Sequence, residues 1–322
     1  MQYLLDTPIP TPWLLADILC LAITTLVMIY VIKKSLHPVT ILLESLAFVL
    51  LYASVYENFA VVQGWYRYGH GLLMVGDVPL SVPLLEVDVL ITVLWLLEKM
   101  EIPVWCKPFI AGLFGTLQDF SLDPYTIRQV FTVKGLTSGR WTWLLPEGAV
   151  NIFGVPVYNF SGWTLIMFYA TIFILVGRWW YRRSGYKPVV GYIYPFLMIF
   201  LALLAMISPI SQFLLWLSPL FSKGSNSEWF MLGFHLIIPT SLLFLFWRGR
   251  MKYPVNLKED LPVFAVIGLF HLSDILFTLA GRFREILWLV VLTSVIHWIL
   301  LGWIYASGRK IKTPKAVFLF GA

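Results

Sequence analysis

Nine stretches of this chain are apolar for long enough to cross a lipid bilayer, and little else about the fold is free once that is granted. A transmembrane helix needs about 20 mostly apolar residues. Runs that meet this criterion fall near 13–33, 39–62, 78–97, 103–120, 160–181, 189–208, 228–247, 261–281 and 285–306. A further run, 210–221, is too short to span and reads as an interfacial or re-entrant piece. Only 12% of the 322 residues are charged, where a soluble domain carries roughly 25%. That balance excludes a soluble globular enzyme, a disordered chain and a nucleic-acid-binding domain as the main architecture. The expected fold is all-α, a polytopic helical bundle of about nine transmembrane helices in the cell membrane.

The basic residues orient it. Of the 23 Lys and Arg, seven (Arg67, Arg128, Lys134, Arg140, Lys223, Arg282 and Arg284) fall on one side and the other sixteen on the opposite side. The positive-inside rule then puts the N-terminus outside and the C-terminus in the cytoplasm. Lys33 and Lys34 follow the first run and no basic region precedes it, so it reads as a retained span and not a cleaved signal peptide. Two cysteines, Cys20 and Cys106, exclude a disulfide scaffold and read as packing residues. The one long loop, 121–159, lies on the outer side and is rich in aromatics, Gly and Pro. It is expected to fold down over the bundle as a lid.

Acids inside spans are costly and mark functional sites. Here they gather toward the outer end. Glu57 lies near the end of the second run, Glu86 and Asp88 within the third, and Asp119 and Asp123 at the close of the fourth. Asp119 and Asp123 are four apart and would stack on one helix face. Pro124 biases Asp123 away from helical geometry, so the helix is expected to end there. A carboxyl at the negative end of a helix dipole and beside a second carboxyl favours its protonated form, as an acid catalyst requires. The competing reading of the pair is a cap, or an ion pair with Arg128 or Arg140. Glu86 and Asp88, two apart, are separated by about 200° around a helix, so at most one faces a site. Glu44 reads as structural. His271 and Asp274 share a face; with His235 and His297 they suit an interhelical hydrogen-bond network better than a metal site, since no metal-ligand spacing is present.

Aromatics form 17% of the chain, with 15 Trp. An interfacial belt accounts for Trp179, Trp180, Trp216, Trp229 and Trp247. Trp65, Tyr66, Tyr68, Trp141, Trp143, Tyr158 and Trp163 instead cluster with the acids. Aromatic faces stabilise cations, so this mixture suits chemistry through a carbocation on an apolar substrate.

Several strings carry a resemblance. Glu57 followed by Gly64-Trp65-Tyr66-Arg67-Tyr68, then Asp119-Phe120-Ser121-Leu122-Asp123-Pro124, Trp141-Thr142-Trp143, and Gly154-Val155-Pro156-Val157-Tyr158-Asn159-Phe160-Ser161-Gly162-Trp163 resemble the carotenoid biosynthesis membrane-protein family. That family includes C50 carotenoid (bisanhydrobacterioruberin) hydratases and acyclic carotenoid 1,2-hydratases. The resemblance covers roughly residues 40–180. It suggests a hydratase-like core over 1–222, followed by 223–322 as three further helices of unassigned role. It implies addition of water to a terminal trisubstituted double bond, without metal or organic cofactor. Asp119 or Asp123 would supply the proton, with Glu57 orienting water or tuning the pair. Trp65, Tyr66, Tyr68, Glu86, Asp88, Trp141, Trp143, Asn159 and Trp163 would line the substrate site. The expected partners are a lipophilic isoprenoid substrate and the bilayer, not nucleic acid.

Two other readings compete. A Mg-dependent intramembrane prenyltransferase would use Asp119-x-x-x-Asp123 as half of its metal motif, but a second Asp-rich motif is missing. An isoprenoid-binding or transport protein would commonly show paired, broken helices in two halves, and no such pairing is visible. The topology is testable directly. A cysteine introduced as Ser138→Cys should react with a membrane-impermeant reagent in intact cells, and one introduced as Ser184→Cys should not. The reverse pattern would invert the orientation.

Overall fold

A computed structural model describes residues 9–133, 135–208, 225–258 and 260–309. Among these, nine long helices follow the apolar runs. They are α1 (Thr11–Lys34), α2 (Pro38–Val62), α3 (Ser81–Lys99), α4 (Lys107–Thr126), α5 (Val157–Arg183), α6 (Pro188–Ile207), α7 (Glu228–Trp247), α8 (Leu261–Ala280) and α9 (Arg284–Gly308). The short run 210–221 lies outside the described residues. Prolines in the first turn start α2, α4, α6 and α8, where the missing N–H costs nothing.

Seven of the nine, all but α3 and α4, are long and apolar enough to cross a membrane. The two exceptions carry four buried acids between them, and they are the inner pair. From Glu86 to Leu97 every residue of α3 is buried, and so is nearly all of α4. The outer helices instead display large apolar side chains such as Leu26, Val189, Phe230, Ile237 and Ile299. A helix that does not face lipid need not be apolar on every side, which is how α3 and α4 accommodate Glu86, Asp88, Asp119 and Asp123.

The packing of α4 on α5 sets the site. A Cβ at Gly112 would sit 2.7 Å from Thr164 Cγ2, and one at Gly115 would sit 2.7 Å from Met167 Cγ. Small residues at such positions let two helices approach closely. The same register brings Thr116 Oγ1 to 2.7 Å from Thr164 Oγ1 and stacks Phe120 on Phe160 at 4.2 Å.

Two boundaries differ from the sequence expectation. Helix α4 does not stop at Asp123 but runs to Thr126 with Pro124 inside it. Pro124 forgoes one backbone hydrogen bond, but the extra turn is held elsewhere. Asp123 O accepts from Ile127 N, Leu122 O from Thr126 Oγ1 and Pro124 O from Arg128 Nη1. Helix α5 begins at Val157, so Tyr158 and Asn159 are helical and not part of the loop. Glu228 Oε2, on α7, accepts the Tyr158 N–H at that helix start. The loops are also not purely irregular. They carry β1 (Tyr66–Tyr68), β2 (Met74–Val75), β3 (Val78–Pro79), β4 (Val130–Val133), β5 (Leu136–Gly139), β6 (Trp141–Trp143), β7 (Asn151–Ile152) and β8 (Val155–Pro156), in two-stranded antiparallel ladders.

Buried cations are matched. Lys99 meets Asp260 at 2.6 Å, Arg178 meets Glu44 at 2.6 Å, and Arg140 pairs with Asp17. Asp17 also accepts from Ser81 Oγ at 2.5 Å and Leu72 N at 2.8 Å. It thereby ties α1, the first long loop and the start of α3 to the Arg140 turn. Removing one member strands a buried charge. Asp17→Asn should therefore cost about 3–5 kcal/mol, whereas replacing both members together (Asp17→Leu with Arg140→Met) should cost clearly less. Unfolding titrations in mixed micelles would check this; equal losses would mean that the pair is not what holds the segments.

Candidate active site

Strand β1 pairs with β6 so that Tyr66 faces Trp143 and Tyr68 faces Trp141. Cross-strand partners share a face and neighbours along a strand alternate. The four rings therefore form one aromatic plate, while Arg67 and Thr142 lie on its other face. Ring centroids are 4.6 Å apart for Tyr66–Trp143 and 5.8 Å for Tyr68–Trp141. The plate is pinned to the bundle by Glu57 on α2, whose Oε2 accepts from both phenols at 2.5 Å. Burial first, and then the nearby Glu57, push the Tyr66 and Tyr68 phenols upward. Both stay O–H donors at ordinary pH.

Beneath the plate is a cavity of about 100 Å³. A water molecule takes about 30 Å³ in the liquid, so this is room for a few waters or a small branched hydrocarbon end. Its walls include Glu57, Tyr66, Tyr68, Asp123, Tyr125, Arg140, Trp141, Trp143, Asn159, Trp163 and Asp274. Asn159 Nδ2 donates to Asp119 Oδ2 at 2.7 Å and to Asp123 Oδ2 at 2.8 Å. Asp123 lines the cavity, whereas Asp119 lies fully buried behind it, with Oδ1 unpartnered. Neither acid pairs with Arg128, which binds Glu285, nor with Arg140, whose charge is matched by Asp17. The ion-pair reading of these two acids is thus set aside among the described residues.

Not every expected residue reaches the cavity. Trp65 does not: it precedes the strand, is 37% exposed and packs edge-on against Phe59. Glu86 and Asp88 also do not line it. Glu86 lies behind Glu57 and accepts from Tyr56 Oη, and Asp88 accepts from Thr24 Oγ1 at 2.7 Å. Each takes a hydrogen bond from a neighbouring helix on one oxygen and has none on the other, Glu86 Oε1 and Asp88 Oδ1.

One wall went unforeseen. Asp274, on α8, reaches the cavity and accepts from Ser121 Oγ at 2.6 Å and Gln118 Nε2 at 3.2 Å. His271 does not bond Asp274 directly; Ser121 Oγ lies 2.9 Å from His271 Nδ1, and His271 Nε2 lies 2.8 Å from His297 Nδ1. This is a hydrogen-bond network across α4, α8 and α9; His235 is not in it. The i, i+3 spacing of His271 and Asp274 signalled that face, but only tertiary packing reveals the α4 partner. Among the described residues, no group of three or more His, Cys, Asp or Glu side chains is placed to hold a metal ion.

Comparison with protein-family models matches residues 15–221 to the carotenoid biosynthesis protein family. The chain belongs to that family. No curated protein and no solved structure matches it. The matched region contains Glu57, the β1–β6 plate, Asp119, Asp123, Asn159 and Trp163. The wall built by Asp274 lies beyond it, on the last three helices, so in this family member those helices complete the cavity. Ser121 is the joint between the two parts. Ser121→Ala leaves Asp274 and His271 each short of one partner and should lower stability by about 1–3 kcal/mol. Thermal melting of the purified chain would show it; an unchanged transition would mean that the joint carries no weight.

Proposed function

We propose that the chain is an intramembrane hydratase, adding water to a terminal trisubstituted double bond of a carotenoid or another long isoprenoid. The bundle would cross the cell membrane nine times, with the cavity at its outer end. One observation carries the reading. Glu57, Glu86, Asp88, Asp119, Asp123 and Asp274 are all buried, and their partners among the described residues are neutral donors: Tyr, Thr, Asn, Ser and Gln. Burying carboxylates without counter-ions is costly, so such a group tends to keep its proton. Three of these acids also face a cavity walled by aromatic rings.

In this reading Asp123 hands its proton to the less substituted carbon of the alkene. The electron pair of the double bond forms the new C–H bond, and a tertiary cation remains. The faces of Trp141, Trp143 and Trp163 stabilise it. A water held by Glu57 and Asp274 adds its oxygen to the cation, and the surplus proton returns to the carboxylates, leaving the acid pair as it began. Asp119 acts through Asn159, which holds both carboxyls in one arrangement. The apolar chain enters from the bilayer and water from the loop side.

The test is hydrated product per folded protein. General acid catalysis is worth about 10²–10⁴-fold, so Asp123→Asn should lose at least that much turnover with its melting transition retained. Asp119→Asn and Glu57→Gln should also lose turnover, by smaller factors. Wild-type turnover in all three would defeat acid catalysis and favour an isoprenoid-binding scaffold.

A further inference from the structure

At the opposite end of the bundle lies a much larger groove of about 970 Å³. It is built where the α3–α4 turn, the C-terminal half of α5 and the segment after α7 meet. Its floor is apolar: Phe168, Ile172, Leu175 and Val176 run along α5. Its mouth is cationic: Lys107, Arg182, Arg250 and Lys252 line it, against two carboxylates, Glu98 and Glu101. Glu98 also faces Arg178 at 3.5 Å, while Lys107 makes no ion pair among the described residues.

The cations are placed by the fold and do not merely hang from the surface. Met100 bridges Met251, Glu101 N donates to Arg250 O at 3.0 Å and Lys252 N donates to Lys99 O at 2.8 Å. Lys99 is itself locked to Asp260. The Arg250–Lys252 segment is therefore stitched to the end of α3 and the turn after it, and the N-terminal end of α4 beside it adds its own positive field. Trp105 and Trp179, 54% and 53% exposed, flank the groove. Amphipathic rings of this kind settle at the headgroup level of a bilayer. An apolar channel along a membrane helix that ends in four cations at the headgroup level matches one kind of molecule in both halves. Basic pockets between helices in this position suit anionic lipid headgroups.

We infer that this groove binds an anionic glycerophospholipid, with its phosphate among Lys107, Arg182, Arg250 and Lys252 and an acyl chain along Phe168, Ile172, Leu175 and Val176. The site is separate from the acid-lined cavity and does not depend on the reaction proposed there. Two of its four cations come from the segment beyond the family match, so a bound lipid would clamp the last three helices to the rest of the bundle.

The experiment is native mass spectrometry of the full chain in detergent, titrated with phosphatidylglycerol, phosphatidylcholine or inorganic phosphate. Phosphatidylglycerol should be retained at least tenfold more tightly than phosphatidylcholine. A cation beside an anionic headgroup is worth roughly fivefold, so Lys107→Gln with Lys252→Gln should weaken retention by about tenfold or more. Lys107→Arg should restore most of the loss due to Lys107→Gln. Lys33→Gln with Lys34→Gln, which removes two exposed cations outside the groove, should change nothing. Equal retention of the two lipids, or an equal loss in the Lys33/Lys34 variant, would overturn the site. So would displacement of phosphatidylglycerol by inorganic phosphate at comparable concentration, which would make it a site for free phosphate.

Discussion

The structure depends on how it handles carboxyl groups in an apolar bundle. Most of its buried acids fall into two classes. Asp17, Glu44 and Asp260 are buried against Arg140, Arg178 and Lys99 and act as ties between segments. Glu57, Glu86, Asp88, Asp119, Asp123 and Asp274 are buried against hydroxyl and amide donors. An ion pair in the interior holds segments together but has no proton to give. A carboxyl held by neutral donors has no such counter-ion, and the acid chemistry proposed above requires that water and cations be kept from it. That exclusion requires the inner position of α3 and α4 and the aromatic plate over their ends.

The parts of the site are interlocked through few contacts. Gly112 and Gly115 bring α4 against α5, and the same register delivers Asn159 to both Asp119 and Asp123. Glu57 holds the plate through Tyr66 and Tyr68. The pairing of β1 with β6 then carries Trp141 and Trp143 over the cavity. Asp17 and Arg140 fix the turn from which β6 departs. Each wall thus comes from a different element, and the last three helices supply one through Asp274.

The sequence made some of this legible and hid the rest for identifiable reasons. The nine helices were readable because lipid demands long apolar runs, and each run is followed by a helix of similar extent. Their ends were less so: Pro124 is a local bias, and the hydrogen bonds that override it come from Thr126 and Arg128. The Asp119–Asp123 pair was visible as an i, i+4 spacing. Trp65 groups with Tyr66 and Tyr68 in the sequence because a three-residue strand leaves no periodic signal, so the alternation that sets it off the face they share could not be seen. Glu86 and Asp88 could be set on different helix faces, but their partners Tyr56 and Thr24 lie on other helices. Asp17, Arg140 and Asp274 acquire their roles through contacts 55 or more positions away in the chain, for example Asp17 with Leu72 at a separation of 55 and with Ser81 at 64, and no local pattern announces them.

The central claim is that water adds to a carbocation formed by proton transfer from a buried carboxylic acid. The most direct measurement supplies the purified chain, in lipid nanodiscs, with an acyclic carotenoid in oxygen-18 water prepared as deuterium oxide. The account predicts a product bearing oxygen-18 in a tertiary alcohol and one non-exchangeable deuterium on the neighbouring carbon. A carotenoid recovered without oxygen-18, or hydrated without that deuterium, would contradict it.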